Sequence, residues 1–185
     1  MARKMTMDAV TLLKDDHRRV EKLFDSYEKA GDSRRKQTLA QQICVELTIH
    51  TIIEEEIFYP ACKGEIDDED RLEEAYVEHD GTKVLVSELS QGEPSDEFFD
   101  AKVKVLAEMV KHHVREEERR SEGLFAMAKQ AGLDLEELGH RLMERKEELK
   151  EELGDGSRLP PPHTRSFTGH ELVQDHPVEA REQAE

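Results

Sequence analysis

The chain has 185 residues, 44 acidic against 27 basic, for a formal net charge of −17 at neutral pH. Such a surface repels polyanions, so neither nucleic acid nor an anionic membrane is an expected partner. Aromatic residues make up 5% of the chain and Trp is absent, while Glu, Lys, Leu and Ala abound, a composition that favours an all-α fold. Nowhere does a run of about 20 apolar residues occur, and the N-terminal stretch MARKMTMDAVTLLKDDH lacks the apolar core of a signal peptide. A cytoplasmic location is the expectation.

The first helix is expected from about Asp8 to Ala30, stopped at Gly31. Its apolar stripe runs Val10, Leu13, His17, Val20, Phe24, Tyr27, so His17 sits where the 3.6-residue period asks for a core residue. A second helix spans about Arg34 to Cys62 on the line Leu39, Ile43, Leu47, His50, Glu54, Ile57, Ala61, with Pro60 bending or ending its last turn. Cys44 and Cys62 share this helix and would lie roughly 27 Å apart, too far for a bridge. Reduced thiols agree with the expected compartment. The third helix, about Asp68 to Gln91, carries Leu72, Ala75, His79, Thr82, Val86 and Leu89 inward. Gly92 and Pro94 break the chain, Ser95 is positioned to cap a fourth helix, and its stripe is Phe99, Val103, Leu106, Val110, His113, Glu117. The pattern blurs at RRSEG (119–123) and resumes with LFAMA. A fifth amphipathic helix, about Leu133 to Leu153, is expected to pack outside the bundle. Two regions follow: residues 1–153 as a four-helix bundle plus fifth helix, and residues 154–185, with three successive prolines and no periodicity, as a disordered tail.

The spacing of the core histidines carries the functional signal. His17, His50, His79 and His113 recur 33, 29 and 34 residues apart, and the midpoints fall in the three expected turns. A chain that runs up, turns and returns the same distance brings each imidazole to the height of the last. Glu54 and Glu117 follow His50 and His113 by four residues, on the same helical face. An up-down-up-down bundle therefore gathers six polar side chains in one internal layer. Buried ionised groups cost several kcal/mol each unless paired or bound to metal. A purely structural bundle leaves these six unexplained. His112 lies off the stripe and is expected to be solvated. Glu137-x-x-His140 is half of a ferritin-like carboxylate pattern that needs a second copy. His163, His170 and His176 fall in the tail.

The segments LLKDDHRRVEKLF (12–24), HTIIEEEIFYPA (50–61), YVEHDGTKVL (76–85) and KHHVREEE (111–118) resemble the hemerythrin-like family, the bacterial HHE cation-binding domains. What the resemblance implies is a non-haem di-iron centre, oxo- or hydroxo-bridged, with metal ligands at His17, His50, Glu54, His79, His113 and Glu117, the two glutamates bridging. Oxygen-carrying members use five histidines, and four lie on the core lines here. Set against two six-coordinate ions, this ligand set leaves about two positions open. Tyr76 and then Glu118 are the candidates to complete it. Leu13, Leu47, Ile57, Val86 and Val110 are the expected apolar wall. The expected ligands are small diatomic molecules or peroxide. The leading expectation is binding or sensing of oxygen, redox state, nitric oxide or iron, and the alternative is an enzyme that disproportionates peroxide.

Overall fold

The computed structural model describes residues 7–154 and 159–167. Helix α1 (Ala9–Glu28) and α2 (Ser33–Ile53) form one antiparallel hairpin, and α4 (Glu69–Gln91) and α5 (Phe99–Glu117) form the other. Neighbours run α1–α2–α4–α5 and back to α1, the closed ring of a four-helix bundle. Aspartates fix two of the starts: Asp8 Oδ1 accepts from Thr11 N at 3.0 Å, and Asp32 Oδ1 from Arg35 N at 2.9 Å. The fold is all-helical, as composition and periodicity require.

Three places depart from the simple pattern. Helix α2 does not end at Ile53 but widens into a single π-helical turn, Glu54–Phe58, and resumes as α3 (Tyr59–Cys62). The Tyr59 amide bonds back five residues, to the Glu54 carbonyl, and Pro60, which has no amide to offer, follows at once. The extra residue in the turn advances the helical phase by one. Phe58, Tyr59 and Cys62 are therefore buried, where the straight 3.6-residue line had put Ala61. At the fourth helix, Ser95 is not the cap. Asp96 closes a turn by accepting from Glu93 N at 2.7 Å, Phe98 takes a left-handed φ of 68°, and α5 starts at Phe99. Where the pattern blurs beyond Glu117, α5 ends. The chain turns back through RRSEG into α6 (Leu124–Gln130), with Gly123 pressed against the Glu117 carbonyl where no Cβ would fit.

Helix α7 (Leu135–Leu153) packs outside the four-helix ring, as its amphipathic stripe leads one to expect. It packs on α1, α2 and the π-turn, burying Leu138, Leu142 and Leu149. Gly139 lets its backbone meet the start of α1, for a Cβ there would strike the Met7 carbonyl. Inside the segment expected to be disordered, residues 159–167 lie ordered along α4: Asp80 Oδ2 accepts from Arg165 N at 2.8 Å, Ser166 N at 2.6 Å and Ser166 Oγ at 2.7 Å. The chain is a strap there. Residues 155–158 and 168–185, including His170 and His176, lie outside the described residues.

The apolar interior is in two parts. One cluster gathers Leu12, Leu13, Ile49, Ile53, Phe58 and Tyr59 with the buried leucines of α7. The other gathers Val20, Phe24, Ile43, Leu47, Val86 and Val110 with their neighbours. Along α1, α2 and α4 the core histidine falls where the chain passes between the two, whereas His113 on α5 lies between Val110 and Val114 of the second cluster. Truncating Leu142, which is fully buried, to alanine should cost about 2–5 kcal/mol in denaturant unfolding. A loss below about 0.5 kcal/mol would mean that α7 adds nothing to the domain.

Candidate metal centre

His17, His50, His79 and His113 come from four different helices, and all are nearly buried, with Glu54 and Glu117 between them at 0% and 1% exposure. The donor atoms meet as two overlapping groups, His17–His50–Glu54–Glu117 and Glu54–His79–His113. His17 Nε2 lies 3.1 Å from His50 Nε2, and His79 Nε2 lies 3.2 Å from His113 Nε2. Glu54 Oε2 is 3.1 Å from His50 Nε2 and 3.3 Å from His79 Nε2, so this carboxylate spans the two pairs. Glu117 Oε2 likewise stands 3.4 Å from His17 and 3.5 Å from His113.

Behind each ring stands a carboxylate from the next helix round. Glu118 Oε1 lies 2.9 Å from His17 Nδ1, Glu55 Oε1 3.1 Å from His79 Nδ1, and Glu78 Oε2 2.8 Å from His113 Nδ1. Asp16 Oδ2 sits 3.8 Å from His50 Nδ1, an ion-pair distance rather than a hydrogen bond. Each of the three closer contacts keeps the proton on Nδ1 and aims the Nε2 lone pair inward. Three of the braces are themselves held by cations. Lys146 of α7, itself buried, pairs with Asp16, Lys83 with Glu55 at 2.7 Å, and Arg18 with Glu118. Glu78 faces the exposed His112 at 3.2 Å instead.

Tyr59 is the residue that a straight helical line hides. Its hydroxyl is 2.9 Å from Glu117 Oε1, 3.2 Å from His79 Nε2 and 3.3 Å from Glu54 Oε2. Tyr76, the sequence-based candidate, is half-buried and packs edge-on against the Tyr59 ring at 5.2 Å without reaching the cluster. Glu118 stands behind His17 rather than beside it. Phe125 of α6 stacks on the His17 ring at 5.7 Å, so the stretch after RRSEG closes over the site. His112 and His140 are exposed, and His163 contributes only its carbonyl, to Lys83 at 3.0 Å.

This donor set fits a dinuclear metal. Were both rings neutral with Nδ1 donating outward, the Nε2 atoms of His79 and His113 would face each other as two acceptors at 3.2 Å; burial opposes a second proton on His113, and Glu117 and Glu78 favour it. Tyr59 has one proton for three acceptors. Glu54 Oε1, Glu117 Oε2 and His50 Nδ1 are buried with no hydrogen-bond partner. A concentration of unpaired acceptors in a dry interior is what a cation resolves. Without one, the charges settle among themselves. Burial opposes a proton on His50, yet Glu54 and Asp16 beside it raise its pKa to about 10. Burial opposes charge on Glu54 too, but the His50 and His79 rings hold it well below the carboxylate range. The Tyr59 phenol is pushed well above its ordinary value by burial and then by Glu117 and Glu54.

The hemerythrin HHE cation-binding domain model matches residues 8–128. The chain belongs to this family. Among solved structures, this HHE protein is similar to a hemerythrin HHE cation-binding domain-containing protein from Mycobacterium kansasii, with a TM-score of 0.65 and 22% identity over 82% of this chain and 95% of that one. That likeness concerns the fold. Among curated proteins it is 32% identical over 115 residues to a DNA nickase from Nostoc sp., covering 62% of this chain and 32% of the relative. The HHE chain thus spans about a third of that protein's length. Among the described residues no helix is long and apolar enough to cross a membrane.

Two outcomes follow from the geometry. His17→Ala or Glu54→Ala should lower the bound metal measured by elemental analysis, while His112→Ala leaves it unchanged. Equal loss from His112→Ala would relocate the site. The raised pKa of His50 carries a pH signature in metal-free protein. Its contribution is complete below the ordinary histidine value of about 6.5 and is lost as pH rises through about 10. Thermal melts should therefore show metal-free protein weakening towards pH 10, and less so after His50→Gln. An unchanged pH slope in the variant would exclude that origin.

Proposed function

We propose that this HHE protein holds two iron ions as a non-haem di-iron centre and binds or senses a small uncharged ligand, dioxygen or nitric oxide. His17, His50, His79 and His113 would supply nitrogens, Glu54 and Glu117 would bridge, and Tyr59 rather than Tyr76 is the oxygen donor within reach. Imidazole and carboxylate together suit iron, and such a pair of ions supplies reversible one- and two-electron exchange with oxygen species.

The observation that carries the reading is where free space lies. A void of about 20 Å³ touches all four histidines but neither glutamate nor Tyr59, and its remaining lining is Val20, Leu47, Val110 and Val114 with Asp16, Thr51 and Thr82. That is room for one water-sized molecule on the apolar side of the cluster. Glu54, Glu117 and Tyr59 close the other side. Of the wall expected from sequence, Leu47 and Val110 line this void, whereas Leu13 and Ile57 belong to the opposite cluster. A chamber this small, with most of its exposed surface apolar, favours an uncharged diatomic and slows the water and protons that would destroy its adduct.

Tyr59 supports a second reading, peroxide disproportionation, in which two hydrogen peroxide molecules give two waters and dioxygen. Its hydroxyl donates to Glu117 Oε1 at 2.9 Å within the cluster, which places a transferable proton beside a carboxylate able to take it back. DNA nicking is left out of this reading. The shared region is about a third of the nickase, and a net charge of −17 opposes approach to a polyanion. A cytoplasmic setting accords with the free, buried Cys44 and Cys62, whose thiols burial pushes up to about 12.

Iron-loaded protein should carry two iron ions per chain, and the reduced form should take up nitric oxide or dioxygen with a change in visible spectrum. Tyr59→Phe should alter that spectrum and leave iron content at or above half. One iron per chain sinks the dinuclear reading. Many peroxide equivalents consumed per centre, falling about tenfold or more in Tyr59→Phe, would favour the enzyme over the sensor.

A further inference from the structure

The groove between α2 and α4 is partly roofed by the C-terminal strap, and the half-open space beneath measures about 220 Å³. Its floor includes Leu47, Thr51, Ile52, Thr82 and Val86, and Leu159 to His163 form the roof. Three of these, Leu47, Thr51 and Thr82, also line the small void at the histidines. One layer of side chains separates the two spaces. Both threonines are almost fully buried, so that layer is shut, and rotation of short side chains is what would open it.

The roof suits an apolar space. Pro160, Pro161 and Pro162 bring no amide N–H, so three consecutive residues cross the groove without a donor to satisfy. Leu159 packs against the apolar cluster that contains Leu47 and Val86. The strap is pinned beyond the cavity by polar contacts. Asp80, fully buried, accepts three hydrogen bonds from Arg165 and Ser166, and Lys83 Nζ donates to the His163 carbonyl at 3.0 Å. Arg165 lies over the Tyr76 ring at 4.9 Å, with Nε 3.5 Å from Glu55 Oε2. One end is therefore held by apolar packing and the other by a buried acceptor.

We propose that this cavity is an antechamber that collects an uncharged diatomic ligand and passes it between Thr51 and Thr82 to the histidine cluster, with residues 159–167 as its lid and Asp80 as the latch. The chemistry of the lining selects the occupant. The exposed lining is mostly apolar, and the two charged residues that reach it, Glu55 and Lys83, are paired with each other at 2.7 Å, so a charged or strongly hydrogen-bonding molecule gains too little in exchange for its hydration, and the acidic surface disfavours anions. The identity of the ligand rests on the proposed function, whereas the cavity and its lid do not.

Xenon probes the cavity without iron. Metal-free full-length protein under xenon pressure should show xenon between α2, α4 and the strap. The signal should be lost in Val86→Phe, which fills the space, and in Asp80→Asn, which unlatches the roof. Hydrogen exchange at the Arg165 and Ser166 amides should quicken in Asp80→Asn and stay slow in Val86→Phe. In iron-loaded, reduced protein, Val86→Phe should slow nitric oxide association by about tenfold with iron content unchanged. Absence of xenon in the folded wild type, or its persistence in Asp80→Asn, overturns the antechamber or its lid. Unaltered nitric oxide association in Val86→Phe overturns the route. Failure to load iron would defeat the proposed function and leave the xenon result standing for the cavity alone.

Discussion

A ring of carboxylate-braced histidines is the constraint around which the bundle is built. Asp16 on α1 stands behind His50 on α2; Glu55, just after α2, braces His79 on α4; Glu78 on α4 braces His113 on α5; and Glu118, capping α5, braces His17 on α1. Each helix thus presents a histidine and steadies its neighbour's. Such a circuit tolerates little sliding, because moving one helix disturbs the rings on both sides. Putting so many acids in a dry layer is expensive unless positive charge enters, which ties the geometry of the bundle to what it can bind.

The layer of four histidines and two glutamates was legible because period and spacing are independent signals that coincide. Four histidines on apolar stripes, at near-equal intervals through three turns, admit few other arrangements. What escaped was whatever broke the uniform helical phase. Tyr59 is five residues after Glu54, and only a π-turn puts such a pair on one face. On a 3.6-residue wheel it points away, so Tyr76 took its place among the candidates. Pro60 was the visible clue, read as a bend when the chain accommodated it by widening the preceding turn. The braces were also in plain view as acidic neighbours of ligands, in Asp16–His17, Glu54–Glu55, Glu78–His79 and Glu117–Glu118. Their role depends on which helix lies beside which, and no local pattern states that.

The part of the chain beyond the family match, after residue 128, contributes to the same layer from outside. Lys146 arrives from α7 to pair with Asp16, and Arg165 arrives from the strap to approach Glu55. Lysine 146 sat on the buried side of an amphipathic helix whose leucines dominated the reading, and a buried cation there has meaning only once Asp16 is known to face it. The strap, with its prolines and scattered charge, carries no periodicity because it forms no regular element. It orders by docking, through an acceptor on α4 more than 80 residues away in sequence.

The division of the apolar interior into two clusters has a consequence for assembly. Each cluster draws side chains from several helices, so each half can hold its share of the bundle by burial alone, while the polar layer between them is left as a waist. Emptying that waist of metal would loosen the middle of the molecule before either end. The protein would then breathe at the height of the histidines with its two ends still gathered, which lets ions enter and leave without unfolding the chain.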